Sequence, residues 1–198
     1  MRDAHGCVAA DAVGAEPRRR YVEPMKSTTL PASKTKTARS RPIAPGASVG
    51  HVHLKVADLE RAIAFYRDVL GFEVTDRFGR NAAFLSAGGY HHHIGLNTWE
   101  SEGGPPPPPG TTGLYHAAIL YPTRVDLAHA LRRLLAHGIR LDGASDHGVS
   151  EAIYLRDPDG NGLELYWDRP RDQWPRKEDG SVAMFTAALN LDSLLAEH

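Results

Sequence analysis

Cysteine is almost absent from this 198-residue chain, whose only cysteine is Cys7. One cysteine cannot form a disulfide within the chain, which excludes a disulfide-stabilised fold and favours a reducing compartment. Long apolar runs are also missing. No stretch approaches the ~20 apolar residues of a membrane span, and the first residues lack a secretory pattern. We therefore expect a cytoplasmic protein with no membrane partner and one folded domain of ordinary size.

Charge is unevenly distributed along the chain. Residues 1–46 hold nine Lys or Arg against four Asp or Glu, and the remainder holds 14 against 20. Residues 17–45 have no sustained apolar period, so we predict a disordered basic tail over 1–46. Such a tail is usually solvated, and we expect no nucleic-acid partner. Its Arg- and Ser/Thr-rich start faintly resembles a transit peptide, and initiation at Met25 explains it equally well.

Order is predicted to begin at Gly50. Alternating polar and apolar residues indicate a half-buried strand over 51–56. Asp58 is a suitable N-cap for the helix that follows, and Gly71 ends that helix. Three more strands are predicted, at 72–78, 82–87 and 90–98. This first module, residues 50–99, has the order βαβββ.

The same order recurs after five consecutive prolines, which cannot enter a sheet and act as a linker. The second module covers 114–168, with a helix over 124–137 and strands at 114–121, 139–143, 152–156 and 163–167. Neither small sheet can bury both faces alone. We therefore predict an α+β domain over 47–168, in which two βαβββ modules pair into one curved sheet around a metal cavity. Residues 169–198 should form a C-terminal extension that packs on the domain or on a second subunit, and we expect a homo-oligomer.

Two histidines and one carboxylate form the candidate metal site. His51 and His116 open the first strand of each module, and Glu164 lies in the last strand. A 2-His-1-carboxylate set binds one face of a divalent metal and leaves other positions open. We choose His51 over His53 because the second module has Ala118 where His53 would be repeated. The set indicates a metal more firmly than it indicates a reaction.

These features resemble a known family. Paired βαβββ modules, a histidine opening each, and the closing DPDGNGLELYW are similar to the vicinal oxygen chelate superfamily. That superfamily includes glyoxalase I, fosfomycin-resistance transferases, bleomycin-binding proteins and extradiol ring-cleaving dioxygenases. The resemblance covers about residues 50–167 and implies metal binding by the three residues above.

The run GGYHHHIGLNTW favours the single-domain extradiol catechol 2,3-dioxygenases. Glyoxalase I-like members have a carboxylate ligand on this strand, and none is present here. The resemblance places His92 on the catalytic histidine of the extradiol enzymes. In a regular strand His91 and His93 face the other way, although a bulge near Gly89 would exchange them, and a surface histidine patch is the simpler alternative.

Two more residues carry the resemblance to extradiol enzymes. Tyr154, ten residues before Glu164, matches the tyrosine that contacts the catechol, and His147 is similar to a second histidine of the substrate pocket. The implied function is Fe(II)-dependent ring cleavage of a small catechol-type aromatic by dioxygen. A glyoxalase-like isomerase or thiol transferase using Mn, Ni or Zn is one alternative, and a non-enzymatic binding protein is another. An EF-hand-like calcium loop at DPDGNG is disfavoured by Pro158 and by the absence of flanking helices.

Overall fold

The fold is described by a computed structural model that covers residues 42–198, so most of the predicted tail lies outside the described residues. Residues 46–198 form one compact unit. None of the helices in the described part of the chain is long and apolar enough to cross a membrane. The elements of the first module are β1 Val52–Lys55, α1 Leu59–Ala64, β2 Glu73–Phe78, β3 Ala82–Ser86 and β4 Ile94–Asn97. Those of the second are β5 Ala117–Leu120, α2 Arg124–Ala136, β6 Leu141–Asp146, β7 Ser150–Arg156 and β8 Gly162–Asp168.

Local sequence explains where the first helix begins and ends. The Asp58 side chain caps α1 by accepting a hydrogen bond from the Arg61 backbone N–H at 3.0 Å. The helix continues as a π-helical turn over Phe65–Val69. It stops at Gly71, whose φ of 87° is in the left-handed region that favours glycine. The π-helical turn is not visible in the apolar spacing.

Both modules have the predicted βαβββ order of elements along the chain. The first sheet is β1-β4-β3-β2, and the second is β5-β8-β7-β6 with one added strand, β9 Ala187–Ala188, at its edge. In each module the first and last strands are parallel, which the intervening helix makes possible. The α+β fold class with two βαβββ modules is confirmed.

The hydrogen-bonded sheets stay separate, whereas the sequence predicts one curved sheet. β1 and β5 are outer strands of their own sheets. Both border a cavity of about 750 Å³, whose lining includes Val52 and Ala117. No hydrogen-bonded ladder joins β1 to β5 in the described part of the chain.

A clasp of hydrogen bonds joins the modules, and we define it as Ala57, Arg61, Tyr66, Asp157 and Asp159. The Tyr66 hydroxyl donates to Asp157 Oδ2 at 3.0 Å. The Ala57 backbone N–H and the Arg61 guanidinium donate to Asp159 Oδ1 at 2.9 and 2.6 Å. Asp157 and Asp159 are both buried, so these carboxylates serve as acceptors that tie the DPDGNG turn to the first helix.

The C-terminal segment packs over the second module. β9 pairs with β6, and the short helix α3, Leu191–Leu195, lies against α2 with Leu194 fully buried. The Arg124 side chain bonds both Glu151 and Glu197, which fastens the end of the chain to α2. The domain boundaries drawn from the sequence stay a prediction.

Candidate metal centre and active site

The second module brings two of the three predicted ligands into contact. Glu164 lies on β8 beside Ala118 of β5, and His116 precedes Ala118 by two residues. His116 Nε2 is 2.9 Å from Glu164 Oε2. The chain before β5 crosses close over Gly162, where a Cβ would lie 2.1 Å from the Tyr115 carbonyl oxygen. Only glycine allows this approach, which places the histidine over the carboxylate.

The chemistry of this pair fits a divalent metal. An imidazole nitrogen and a carboxylate oxygen are both donors that a divalent metal binds, and here they lie 2.9 Å apart, within hydrogen-bonding distance of each other. His116 Nδ1 is buried and has no hydrogen-bond partner in the described part of the chain.

His51 lies with the histidines of the first module instead. Its ring is 4.5 Å from the ring of His92, which in turn is 5.0 Å from Phe84. β4 begins only at Ile94, so His92 precedes the regular strand and is free of its alternation. Burial and the neighbouring His51 lower the pKa of His92, and the same two causes lower the pKa of His53.

The other two histidines of the HHH run have different surroundings. His93 Nδ1 is 3.1 Å from Ser86 Oγ and accepts a hydrogen bond from the Ala87 backbone N–H at 3.3 Å. His91 packs on Tyr90 and bonds His92, with 2.7 Å between their Nδ1 atoms. Of the three, His92 is the one that contacts the predicted ligand His51.

The predicted ligand set is therefore divided. Within residues 42–198, no group of three or more His, Cys, Asp or Glu side chains lies close enough to hold a metal. His51 lines the cavity of about 750 Å³, and His116 lines a separate one of about 190 Å³. His116 and Glu164 lie in contact, and the role of His51 as the third ligand remains a prediction.

Tyr154 and His147 extend the pair into a polar chain. Tyr154 lies on β7 directly opposite Glu164, and its hydroxyl is 3.2 Å from Glu164 Oε1. The same hydroxyl is 2.8 Å from His147 Nε2. Burial, together with the Glu164 carboxylate, raises the pKa of Tyr154 to about 12, so the phenol keeps its proton at neutral pH.

Three further side chains border this site and were not singled out from the sequence. Tyr115, Asp142 and Arg156 line the smaller cavity together with His116 and Tyr154. Arg156 bonds Asp142, with 2.9 Å between Nε and Oδ2. Arg156 could have been assigned to the site from the sequence, because it follows Tyr154 by two residues in a strand and so lies on the same face.

The DPDGNG segment is a turn rather than a calcium loop. Asp157 Oδ1 accepts hydrogen bonds from the backbone N–H groups of Asp159 and Asn161, at 2.9 and 2.8 Å. These donors, with those of the clasp and Asn161 Nδ2, occupy both carboxylate oxygens of Asp157 and Oδ1 of Asp159. The preference for a tight turn over an EF-hand-like loop agrees with this geometry.

Comparison with known proteins places the chain in a family. Residues 48–165 match the model of the Glyoxalase/Bleomycin resistance protein/Dioxygenase superfamily, which is more than half of the chain. The chain belongs to this superfamily. The resemblance drawn from the motifs is thereby confirmed, and both modules lie almost wholly inside the matched residues.

Within the superfamily, the chain is 43% identical to the catechol-2,3-dioxygenase of Bacillus subtilis (strain 168), over 75% of this chain and 51% of that protein. It is 35% identical to biphenyl-2,3-diol 1,2-dioxygenase 3 of Rhodococcus globerulus, over 61% of this chain and 63% of that protein. A manganese-dependent 2,3-dihydroxybiphenyl 1,2-dioxygenase of Geobacillus genomosp. 3 is 28% identical, over 65% of this chain and 39% of that protein. The chain thus spans about half the length of the Bacillus protein and less than two thirds of the other two.

A solved glyoxalase/dioxygenase from Nostoc punctiforme has the same fold. The two structures superpose with a TM-score of 0.54 at 21% sequence identity. The match covers 67% of this chain and 100% of the Nostoc chain. At this identity the likeness concerns the fold of the superfamily alone.

Proposed function

We propose that the chain is an extradiol dioxygenase that cleaves a small catechol-type aromatic with dioxygen. The observation that carries the proposal is the polar chain His116–Glu164–Tyr154–His147 on one face of the second module. It unites a candidate metal pair with a neutral phenol and an imidazole. The names of the three relatives, each a dioxygenase of an aromatic diol, support the same reaction class.

The metal would be held by His116, Glu164 and His51. When bound, it supplies open positions at which a catechol and dioxygen come together and through which electrons pass. We propose Fe(II), as the resemblance implies. One relative is named manganese-dependent, so elemental analysis of the purified protein must identify the ion.

The remaining residues act on the substrate and its protons. The Tyr154 hydroxyl, beside Glu164, is positioned to hydrogen-bond a catechol oxygen and to stabilise it after deprotonation. His147 holds that hydroxyl in place. His92, whose lowered pKa favours the neutral imidazole, would serve as acid and base in ring cleavage.

A glyoxalase-like reaction has weaker support in the site itself. β4 consists of Ile94, Gly95, Leu96 and Asn97 and offers no carboxylate. Glu164, on the last strand of the second module, therefore has no acidic counterpart on β4, the last strand of the first module.

Ligand variants test the proposed metal set. We expect His51→Ala, His116→Ala and Glu164→Ala to lose metal after purification, because a facial set with two donors binds a divalent ion weakly. His53→Ala is the matched control, two residues from His51 along the chain, and should keep its metal. Full metal occupancy in His51→Ala together with loss of metal in His53→Ala would show that His53 is the ligand in place of His51.

We also propose a homo-oligomer. Exposed apolar side chains support this proposal, among them Trp99, Leu114 and Tyr115 near the linker. A second copy also offers a source of His51 for the pair His116–Glu164. Mixing unfolded His51→Ala and Glu164→Ala chains and refolding them tests this arrangement. Recovered metal binding would show that ligands come from two copies, and no recovery would show that one chain supplies all three.

A further inference from the structure

The C-terminal segment touches the candidate site at one point, the imidazole of His147. We define the strap as residues 182–188, which run from the hairpin after Trp174 into β9. The strap is bound to β6 by the β9 pairing and by a hydrogen bond from the Phe185 backbone N–H to the His147 carbonyl oxygen at 3.3 Å. Phe185 lies over Gly148, where a Cβ would be 2.4 Å from the Phe185 ring.

His147 Nδ1 faces two groups of the strap. The Phe185 carbonyl oxygen and the Thr186 hydroxyl oxygen are each 3.2 Å away. A carbonyl oxygen can only accept a hydrogen bond, whereas a hydroxyl can donate or accept. A proton on Nδ1 satisfies both contacts. A bare Nδ1 would instead direct its lone pair at the carbonyl oxygen, which is repulsive.

We propose that the strap positions His147 for the site by fixing the proton on Nδ1. In a neutral imidazole one nitrogen donates and the other accepts. Nε2 is then the acceptor that faces the Tyr154 hydroxyl at 2.8 Å. His147 is a positioning residue, and Phe185 and Thr186 act through it.

The consequence for the site concerns the single proton of the Tyr154 phenol. Two acceptors are within reach, His147 Nε2 at 2.8 Å and Glu164 Oε1 at 3.2 Å. Before a catechol binds, an Nε2 lone pair held by the strap draws this proton away from Glu164; a deprotonated catechol oxygen then competes with Nε2 for it. The carboxylate is then left free to bind a metal. This role rests on the proposed function, whereas the tautomer itself does not.

Nitrogen NMR of protein labelled with ¹⁵N-histidine tests the proposal, because long-range ¹H–¹⁵N correlations distinguish the two tautomers. Loss of one signal set in His147→Gln assigns the residue. We expect the wild-type protein to show His147 protonated on Nδ1. We expect Phe185→Ala, which frees the strap from Gly148, to show a mixture of tautomers. Met184→Ala, an exposed neighbour on the strap, should match the wild type, and Phe185→Leu should restore its spectrum.

A second variant separates the two contacts of Nδ1. Thr186→Val removes the hydroxyl and keeps the Phe185 carbonyl, so the tautomer should not change. A change of tautomer in Thr186→Val would show that the hydroxyl donates to a bare Nδ1, which overturns the proposal. A wild-type His147 protonated on Nε2 overturns it as well, and so does a folded Phe185→Ala protein with an unaltered spectrum.

Catechol turnover gives the functional readout. We expect kcat of Phe185→Ala to fall about tenfold, less than the roughly 10²-fold or more that follows loss of an acid–base group itself, with KM changed less than about twofold. Met184→Ala should retain full turnover. If the spectra behave as expected and the wild-type protein consumes no oxygen, the proposed function fails while the positioning of His147 stands. If turnover is present and Phe185→Ala retains it in full, the strap has no role in the site.

Discussion

The clasp between the modules offers a quantitative test at Tyr66. This side chain is fully buried, and its hydroxyl donates to Asp157 Oδ2 at 3.0 Å. Tyr66→Phe removes one hydrogen bond to a carboxylate, a loss of about 1.5–3 kcal/mol of stability. Asp157 Oδ2 keeps a second donor, Asn161 Nδ2 at 2.9 Å. We therefore expect the lower part of that range, about 1.5–2 kcal/mol.

The pH dependence of this loss follows from the Tyr66 hydroxyl. Burial, together with the charge of Asp157, raises the pKa of Tyr66 well above its ordinary value of 10.0. Below pH 10 both folded and unfolded chains hold this proton, so the stability difference between wild type and variant is constant. Above pH 10 the unfolded wild-type chain releases the proton and the folded chain keeps it. Wild-type stability then falls relative to the variant by up to about 1.4 kcal/mol per pH unit.

Urea unfolding at pH 8, 10 and 11 measures both effects, provided that the m-value is unchanged. Tyr90→Phe is the matched control, because the same hydroxyl is removed from an exposed side chain. It should stay within about 0.5 kcal/mol of the wild type. Equal stability of Tyr66→Phe and wild type at pH 8, or a difference that grows above pH 10, would refute the clasp as described.

Two other predictions concern the fold and the HHH run. Gly71→Ala and Gly138→Ala both place a side chain at positive φ, about 1–2 kcal/mol of strain. Gly71→Ala should lose more, because its Cβ would lie 2.6 Å from Arg133 Nη1, and equal melting temperatures would contradict this. His92→Ala should retain metal and catechol binding yet cleave roughly 10²-fold more slowly in single turnovers. If His93→Ala gives that defect while His92→Ala does not, the acid–base role belongs to His93 instead of His92.

Much of the fold could be predicted because its signals are local. Asp58 and Gly71 marked the ends of the first helix, and the strands that carry Tyr154 and Glu164 were predicted at 152–156 and 163–167. His116 was predicted to open the first strand of the second module and Glu164 to lie in its last strand, and the structure pairs these two strands in parallel. Each of these depends on residues close in sequence or on a repeated pattern.

What was missed depends on packing between distant segments. The position of His51 relative to His116 is set by how the two modules meet, which no periodicity records. β4 starts at Ile94 rather than at the predicted residue 90. The strap contact uses the Phe185 carbonyl oxygen, a group that every residue possesses, so the sequence gives no signal for it.

Oxygen consumption with a catechol tests the central claim most directly. The protein, loaded anaerobically with Fe(II), is given a panel of catechols and then a pulse of ¹⁸O₂ in an oxygen electrode. Extradiol cleavage predicts one dioxygen consumed per catechol and both labelled atoms in a hydroxymuconic semialdehyde-type product, with Glu164→Ala inactive. A metal-loaded wild-type protein that binds catechols and consumes no oxygen with any of them would contradict the account.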